Sequence, residues 1–201
     1  ESFLGVRRVL EHFARERPIV LILEDIHWAD PVFLDLVEQV ADLALWGYNL
    51  LRCGGNPAQV AVARRYGLRI GVSVPPNRIA EEAVTEEMLG THFQRALVCP
   101  SNAAARGRIM SEREALFREC PHLDVLYLPS GDHAGCHCPR CRPWVRTYLT
   151  LAEEIADVLR RYHPGADVWL SNQQLSIAEN RLLLDYLRDV QPAWLQALHY
   201  G

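Results

Sequence analysis

The chain contains no lysine: all 21 of its basic residues are arginine. Schiff-base and PLP chemistry need an amine side chain, and the GxxxxGK[ST] loop needs its lysine on the phosphates, so neither is available to this chain alone. Positive charge is not in excess either. With 25 acidic residues the formal charge is −4 and the pI is near 6.1, which argues against a nucleic-acid or anionic-membrane partner. No apolar run reaches the roughly 18 residues of a membrane span, and no basic start followed by an apolar run reads as a signal peptide. The GxGxxG turn that a dinucleotide-binding sheet places after an early strand is also missing. What is present is 49% hydrophobic content over 201 residues, enough for one good core or two small ones.

Glu1 lies inside a helical pattern with no initiator Met, and His199-Tyr200-Gly201 follow directly on an apolar run, so both ends read as cut and a fragment is expected. A cytoplasmic location is the expectation for the described composition. Charge divides unevenly: residues 1–44 carry four Arg against nine acids, residues 45–201 carry 17 against 16, and all six cysteines lie in the second part. Two domains, 1–44 and 45–201, are therefore expected, joined near Ala44-Leu45.

Hydrophobic patterning alternates between short apolar runs and helical spacing. Leu4, Val6, Val9, Leu10 and Phe13 recur as in a helix, Ile19 to Leu23 is a continuous apolar run, and Asp30-Pro31 opens a second helix to about Ala44. Beyond the turn residues 54–57, strands are expected at 68–74, 96–99, 125–128, 167–170 and 195–198, with helices to Tyr66 and over 102–119, 144–162 and 177–190. This is the βαβ rhythm of a parallel sheet. Polar residues gather after nearly every strand: Asn77 and Arg78, Ser101 and Asn102, Ser130 and Asp132, Ser171 to Gln174, His199 and Tyr200. Side chains recruited from many successive strand ends point to a (β/α) barrel rather than an open sheet. The predicted fold class is α/β with parallel βα repeats, an incomplete TIM (β/α) barrel carrying an N-terminal αβα segment.

Two motifs carry chemistry. In Ile19 to Pro31 an apolar strand ends in Glu24-Asp25, and paired carboxylates there suit Mg²⁺ and a water beside a nucleoside triphosphate. The whole string, with His27-Trp28-Ala29-Asp30 after the acids, resembles the Walker B region of STAND-type AAA ATPase modules of bacterial signalling regulators. That resemblance implies metal and water roles for Glu24 and Asp25 and Mg-ATP as ligand. The order here is Glu-Asp, not the commoner Asp-Glu, and the Walker A loop and its lysine are missing, so no ATP hydrolysis is expected.

The second motif is Asp132-His133-Ala134-Gly135-Cys136-His137-Cys138-Pro139-Arg140-Cys141, which places thiols at C-x-C-x2-C spacing. Cys136, Cys138 and Cys141 can converge on one ion where Gly and Pro turn the backbone, making a structural zinc one expectation, with His133, His137 or Cys120 as fourth ligand. Free thiols and a local disulfide are the alternatives. Cys53, Cys99 and Cys120 read as small buried residues of strands and helices.

From Trp46 onward the chain resembles the catalytic barrel of hexosaminidase-like and glucuronidase-like glycoside hydrolases. The residues that carry this are Gly55-Asn56-Pro57, Pro76-Asn77, Val98-Cys99-Pro100-Ser101, the Asp132 to Trp144 loop and Val168-Trp169-Leu170-Ser171-Asn172. The resemblance implies a carbohydrate substrate and no required cofactor, with Asp132 as catalytic carboxylate and Asn77, Asn172, His133, Trp169 and Tyr200 against the sugar. It departs from the hexosaminidase pattern in having His133, not Glu, after Asp132. Hydrolysis usually needs two carboxylates roughly 5–9.5 Å apart, and only Glu81, Glu82, Glu86 and Glu87 offer themselves as loop candidates for the second. The fragment itself is expected to be inactive, and a Walker B segment running into a barrel lacking its first strands is expected to be a chimeric gene model.

Overall fold

Each short apolar run is followed by a helix long enough to carry the chain back to the start of the next strand, so neighbouring strands pair in parallel. The computed structural model describes residues 47–90, 97–130 and 135–199. The chain divides into two compact units, 1–71 and 72–201, with the boundary inside one strand.

In the first unit, β1 (Leu50–Arg52), α1 (Pro57–Arg65) and the start of β2 (Arg69–Ser73) form one βαβ turn. The strands pair in parallel with Leu50 opposite Arg69 and Arg52 opposite Gly71. Pro57 takes the first helical position, where its missing N–H costs nothing, and Val60 and Ala63 are the buried face of the helix. Strand β1 is not foreseen in the sequence, because three residues show no alternation. The expected αβα segment over 1–44 lies outside the described residues.

In the second unit the chain leaves β2 with Val74 N–H donating to Tyr127 O at 3.0 Å. There follow α2 (Ala103–Glu119), β3 (Val125–Leu128), α3 (Trp144–Tyr162), β4 (Asp167–Ser171), α4 (Ile177–Val190) and β5 (Ala197–His199). Val125 faces Asp167 and Leu128 faces Leu170; Trp169 faces Ala197 and Ser171 faces His199, all in parallel. Strand order is chain order, β1-β2-β3-β4-β5. The class is α/β with five parallel strands among the described residues, an arrangement consistent with part of a (β/α) barrel.

The helix α3 carries the core. Its Val145, Tyr148, Leu149, Ala152, Ile155, Ala156 and Leu159 recur at spacings of three and four and are buried, which is the stripe an amphipathic helix turns to a sheet. Helix α2 buries Ala105, Ile109, Arg113 and Phe117 one turn apart, and Asn102 caps it by accepting from Ala105 N–H at 3.0 Å. Arg106 Nε donates to Glu154 Oε2 at 3.0 Å, tying α2 to α3. Helix α4 starts on a capping box in which Ser176 and Glu179 satisfy each other's backbone N–H.

One strand expectation is corrected. Residues 96–99 are expected as a parallel strand, yet among the described residues Leu97 and Val98 make isolated antiparallel bridges, to Arg78 and Leu89. Val98 N–H donates to Asn77 O at 3.0 Å and Cys99 N–H to Met88 O at 2.8 Å. Pro100 stops the run, which lies as an arm against the loop that follows β2.

Candidate functional site

That arm delivers Cys99. Its Sγ lies 3.8 Å from Cys138 Sγ and 3.7 Å from Cys141 Sγ, and with Cys136 the four sulfurs all fall within 4.8 Å of one another. A disulfide needs about 2.05 Å between sulfurs, so these are thiols in contact and not bonded pairs. Three come from the loop between β3 and α3, whereas the fourth is contributed from about 40 residues earlier in the chain. The sequence expectation of a cysteine-loop cluster therefore stands at Cys136, Cys138 and Cys141. The fourth member is none of the residues considered for it. Cys120 donates to His122 O at 3.2 Å at the end of α2, His137 is not in the cluster, and His133 lies outside the described residues.

Local structure makes room for the sulfurs. A Cβ on Gly90 would stand 3.3 Å from Cys136 Sγ, so glycine there admits the thiol. Gly135 has φ +103°, and a Cβ would come within 2.8 Å of the Trp144 ring, so only glycine lets the loop close on the first turn of α3. Trp144 in turn stacks on Tyr148 with ring centroids 6.1 Å apart. Cys138-Pro139-Arg140-Cys141 forms a tight turn, with Cys141 N–H donating to Cys138 O at 2.9 Å.

Electrostatically the sulfurs of Cys99, Cys138 and Cys141 differ. Burial pushes the Cys138 thiol up, but hydrogen bonds from Cys141, from Cys136 and from the backbone N–H groups of Cys141 and Arg140 outweigh it and bring it down to about 7. Burial pushes Cys141 up to about 12, against the Ser101 hydroxyl, whose Oγ lies 3.1 Å away. Cys99 is also raised by burial, against the backbone N–H of Ser101. The group thus offers thiolate character at one corner and protonated sulfur at two others, an arrangement a divalent cation would convert to thiolates throughout.

The strand ends form a second polar region. Tyr148, fully buried, sends its hydroxyl between β3 and β4, donating to Leu128 O and accepting from Ser171 N–H at 3.2 Å. Ser130 Oγ donates to Gln173 O, Asn172 N–H donates to His199 O at 3.3 Å, and Tyr127 O–H lies 3.5 Å from His199 Nδ1. The ends of β3, β4 and β5 are thereby held together, with His199 exposed and Trp169 half-buried beside Tyr127 in the register.

The two asparagines expected against a sugar differ in their surroundings. Asn172 is half-buried, its Nδ2 donating to Asn180 Oδ1 at 2.9 Å, and its Oδ1 has no hydrogen-bond partner among the described residues. Asn77 is fully buried with Nδ2 on Val98 O at 3.0 Å, and its Oδ1 is likewise without a partner. Arg113, buried in α2, donates to Pro75 O at 3.1 Å and to Arg78 O and so anchors the turn that carries Asn77; burial lowers its guanidinium to about 10. Glu81, Glu82, Glu86 and Glu87 are exposed on two short 3₁₀ turns. Asp132, His133 and Tyr200 lie outside the described residues, as do Glu24 and Asp25. Cys99 and Tyr148 are the residues sequence reasoning missed; Cys99 was legible only as part of a strand.

No protein-family model and no curated protein sequence matches the chain. Solved structures do. A mutant beta-hexosaminidase of Streptomyces plicatus in complex with GlcNAc is similar at 11% identity and TM-score 0.52, over 83% of this chain and 44% of that one. A beta-galactosidase of the haloarchaeon Halorubrum lacusprofundi is similar at 13% identity and TM-score 0.53, over 91% of this chain and 39% of that one. The chain thus spans less than half the length of either, and among the described residues no helix is long and apolar enough to cross a membrane. At these identities the likeness is one of fold: the parallel βα repeats of this chain are similar to part of the fold of those two proteins.

Proposed function

We propose that the chain is part of a carbohydrate-active (β/α) barrel, binding a glycosidic substrate at the C-terminal ends of its strands and hydrolysing it in the complete protein. The observation that supports this most is the joining of three successive strand ends, through Ser130 to Gln173 and Asn172 to His199, on a fold similar to two glycosidases. Barrel enzymes build their sites on that face. In this reading Trp169 offers an apolar face to a sugar ring, and the unpartnered Asn172 Oδ1 accepts from a hydroxyl. Asp132 serves as the catalytic carboxylate, and His133 and Tyr200 contribute to binding the sugar. Asn77, engaged with Val98, holds the end of β2 in place. No observation favours the ATPase alternative.

The test is turnover of an aryl glycoside by the full-length parent and by its Asp132→Asn variant. A fall of about 10²-fold or more with the folding transition unchanged is expected. Unchanged turnover removes Asp132 from the mechanism, and the absence of any saturation-transfer signal between this chain and GlcNAc, galactose or glucuronic acid removes the sugar site.

A further inference from the structure

We propose that Cys99, Cys136, Cys138 and Cys141 bind one Zn²⁺ in a closed, four-thiolate centre that staples the arm before α2 to the loop between β3 and α3. Zinc bound by cysteine at about 2.3 Å in a tetrahedron places its sulfurs about 3.8 Å apart. Two of the separations from Cys99 are 3.8 and 3.7 Å, and all four sulfurs lie within 4.8 Å of one another, so an ion at the centre fits with ligand shifts of about an ångström or less. A bridged iron–sulfur cluster would hold its cysteines further apart than this. Four thiolates fill the tetrahedron and leave no position for a substrate, which makes the centre structural.

The surroundings support thiolates as ligands and not merely thiols in a core. The Ser101 hydroxyl lies 3.1 Å from Cys141 Sγ. A hydroxyl donor aimed at sulfur spreads the charge of a metal-bound thiolate and orients it. Each thiol that ligates the ion releases its proton to solvent, so four negative ligands and one dication leave a net charge of −2, partly offset by that donor. Fully buried Cys136 and Cys141 would be costly places for thiolate charge without the ion.

The centre is independent of the sugar site, and its test reads metal, not activity. The whole chain, purified under reducing conditions, is expected to carry about one equivalent of zinc by elemental analysis. Cobalt substitution should give the thiolate-to-metal charge-transfer bands and strong visible absorption of a tetrahedral four-sulfur site. Cys99→Ser should lose the metal to a chelator wash that the wild type and the Cys53→Ser and Cys120→Ser variants survive. Should Cys99→Ser fail to fold, alkylation of the wild type decides: zinc should protect Cys99 together with the three loop cysteines, and chelation should expose all four as a set. Zinc below about a tenth of an equivalent, stoichiometric iron in its place, or free alkylation of Cys99 in the zinc-loaded chain would overturn the proposal.

Discussion

Replacing Tyr148 by Phe removes one oxygen from a site where two backbone groups depend on it. The hydroxyl donates to Leu128 O and accepts from Ser171 N–H at 3.2 Å, and all three residues are fully buried. The phenyl ring remains, so no cavity forms and the cost is that of buried polar groups left unpaired, about 1–3 kcal/mol each. A loss of about 2–4 kcal/mol is expected, lowering the melting temperature by on the order of 10 °C for a chain of this size. Urea unfolding at pH 7 measures it. The ionisation of the phenol supplies a second readout: burial raises it, with the Ser171 backbone opposing and Tyr127 adding, above the ordinary value of 10.0. Because the folded value lies above the unfolded one, the stabilisation is complete below pH 10 and declines as pH rises beyond it, by up to about 1.4 kcal/mol per pH unit. The Phe variant lacks that decline. A cost below about 0.5 kcal/mol would mean that β3 and β4 close directly and that the hydroxyl bridges nothing of consequence. Identical slopes above pH 10 would refute the burial argument.

Gly135→Ala forces a side chain to φ +103° and into the Trp144 ring at 2.8 Å, so a loss of about 2 kcal/mol or more is expected by thermal unfolding, with Gly107→Ala, which meets nothing within 4 Å, as the mild control. Ser176→Ala removes the cap of α4 and should cost about 1 kcal/mol in urea unfolding at pH 7. Burial pushes the Glu179 carboxyl up, but hydrogen bonds from the Ser176 side chain and backbone outweigh it and hold the group below its usual 4.5. That contribution is present above pH 4.5 and is lost as pH falls through the lowered value, so the wild type and Ser176→Ala should converge in acid.

The helices over 102–119, 144–162 and 177–190 were legible because each combines a capping or proline start with a long 3.6-residue stripe, and those signals are local. The strands expected at 125–128 and 167–170, observed at Val125–Leu128 and Asp167–Ser171, were legible as apolar runs of the length a doubly covered strand requires. Residues 97–99 have the same composition and a different fate. An apolar run does not state its partner, and here the partner is the loop after β2, in antiparallel bridges to Arg78 and Leu89. Cys99 was passed over for the same reason: read as a strand residue, it had no cause to meet the cysteine loop.

What the sequence by itself determined is the chemistry within reach and the rhythm of elements. The absence of lysine closed off amine catalysis and an autonomous phosphate loop, C-x-C-x2-C spacing put three thiols in one turn, and alternating periodicities made a parallel α/β fold. Tertiary structure alone decided the fourth sulfur, the bridging of β3 and β4 by a hydroxyl from α3, and the burial of Asn77. Each of these joins residues at least 20 positions apart. Spacing along a chain reports what one turn can bring together, whereas long-range neighbours depend on where the backbone goes between them, and that is set by packing.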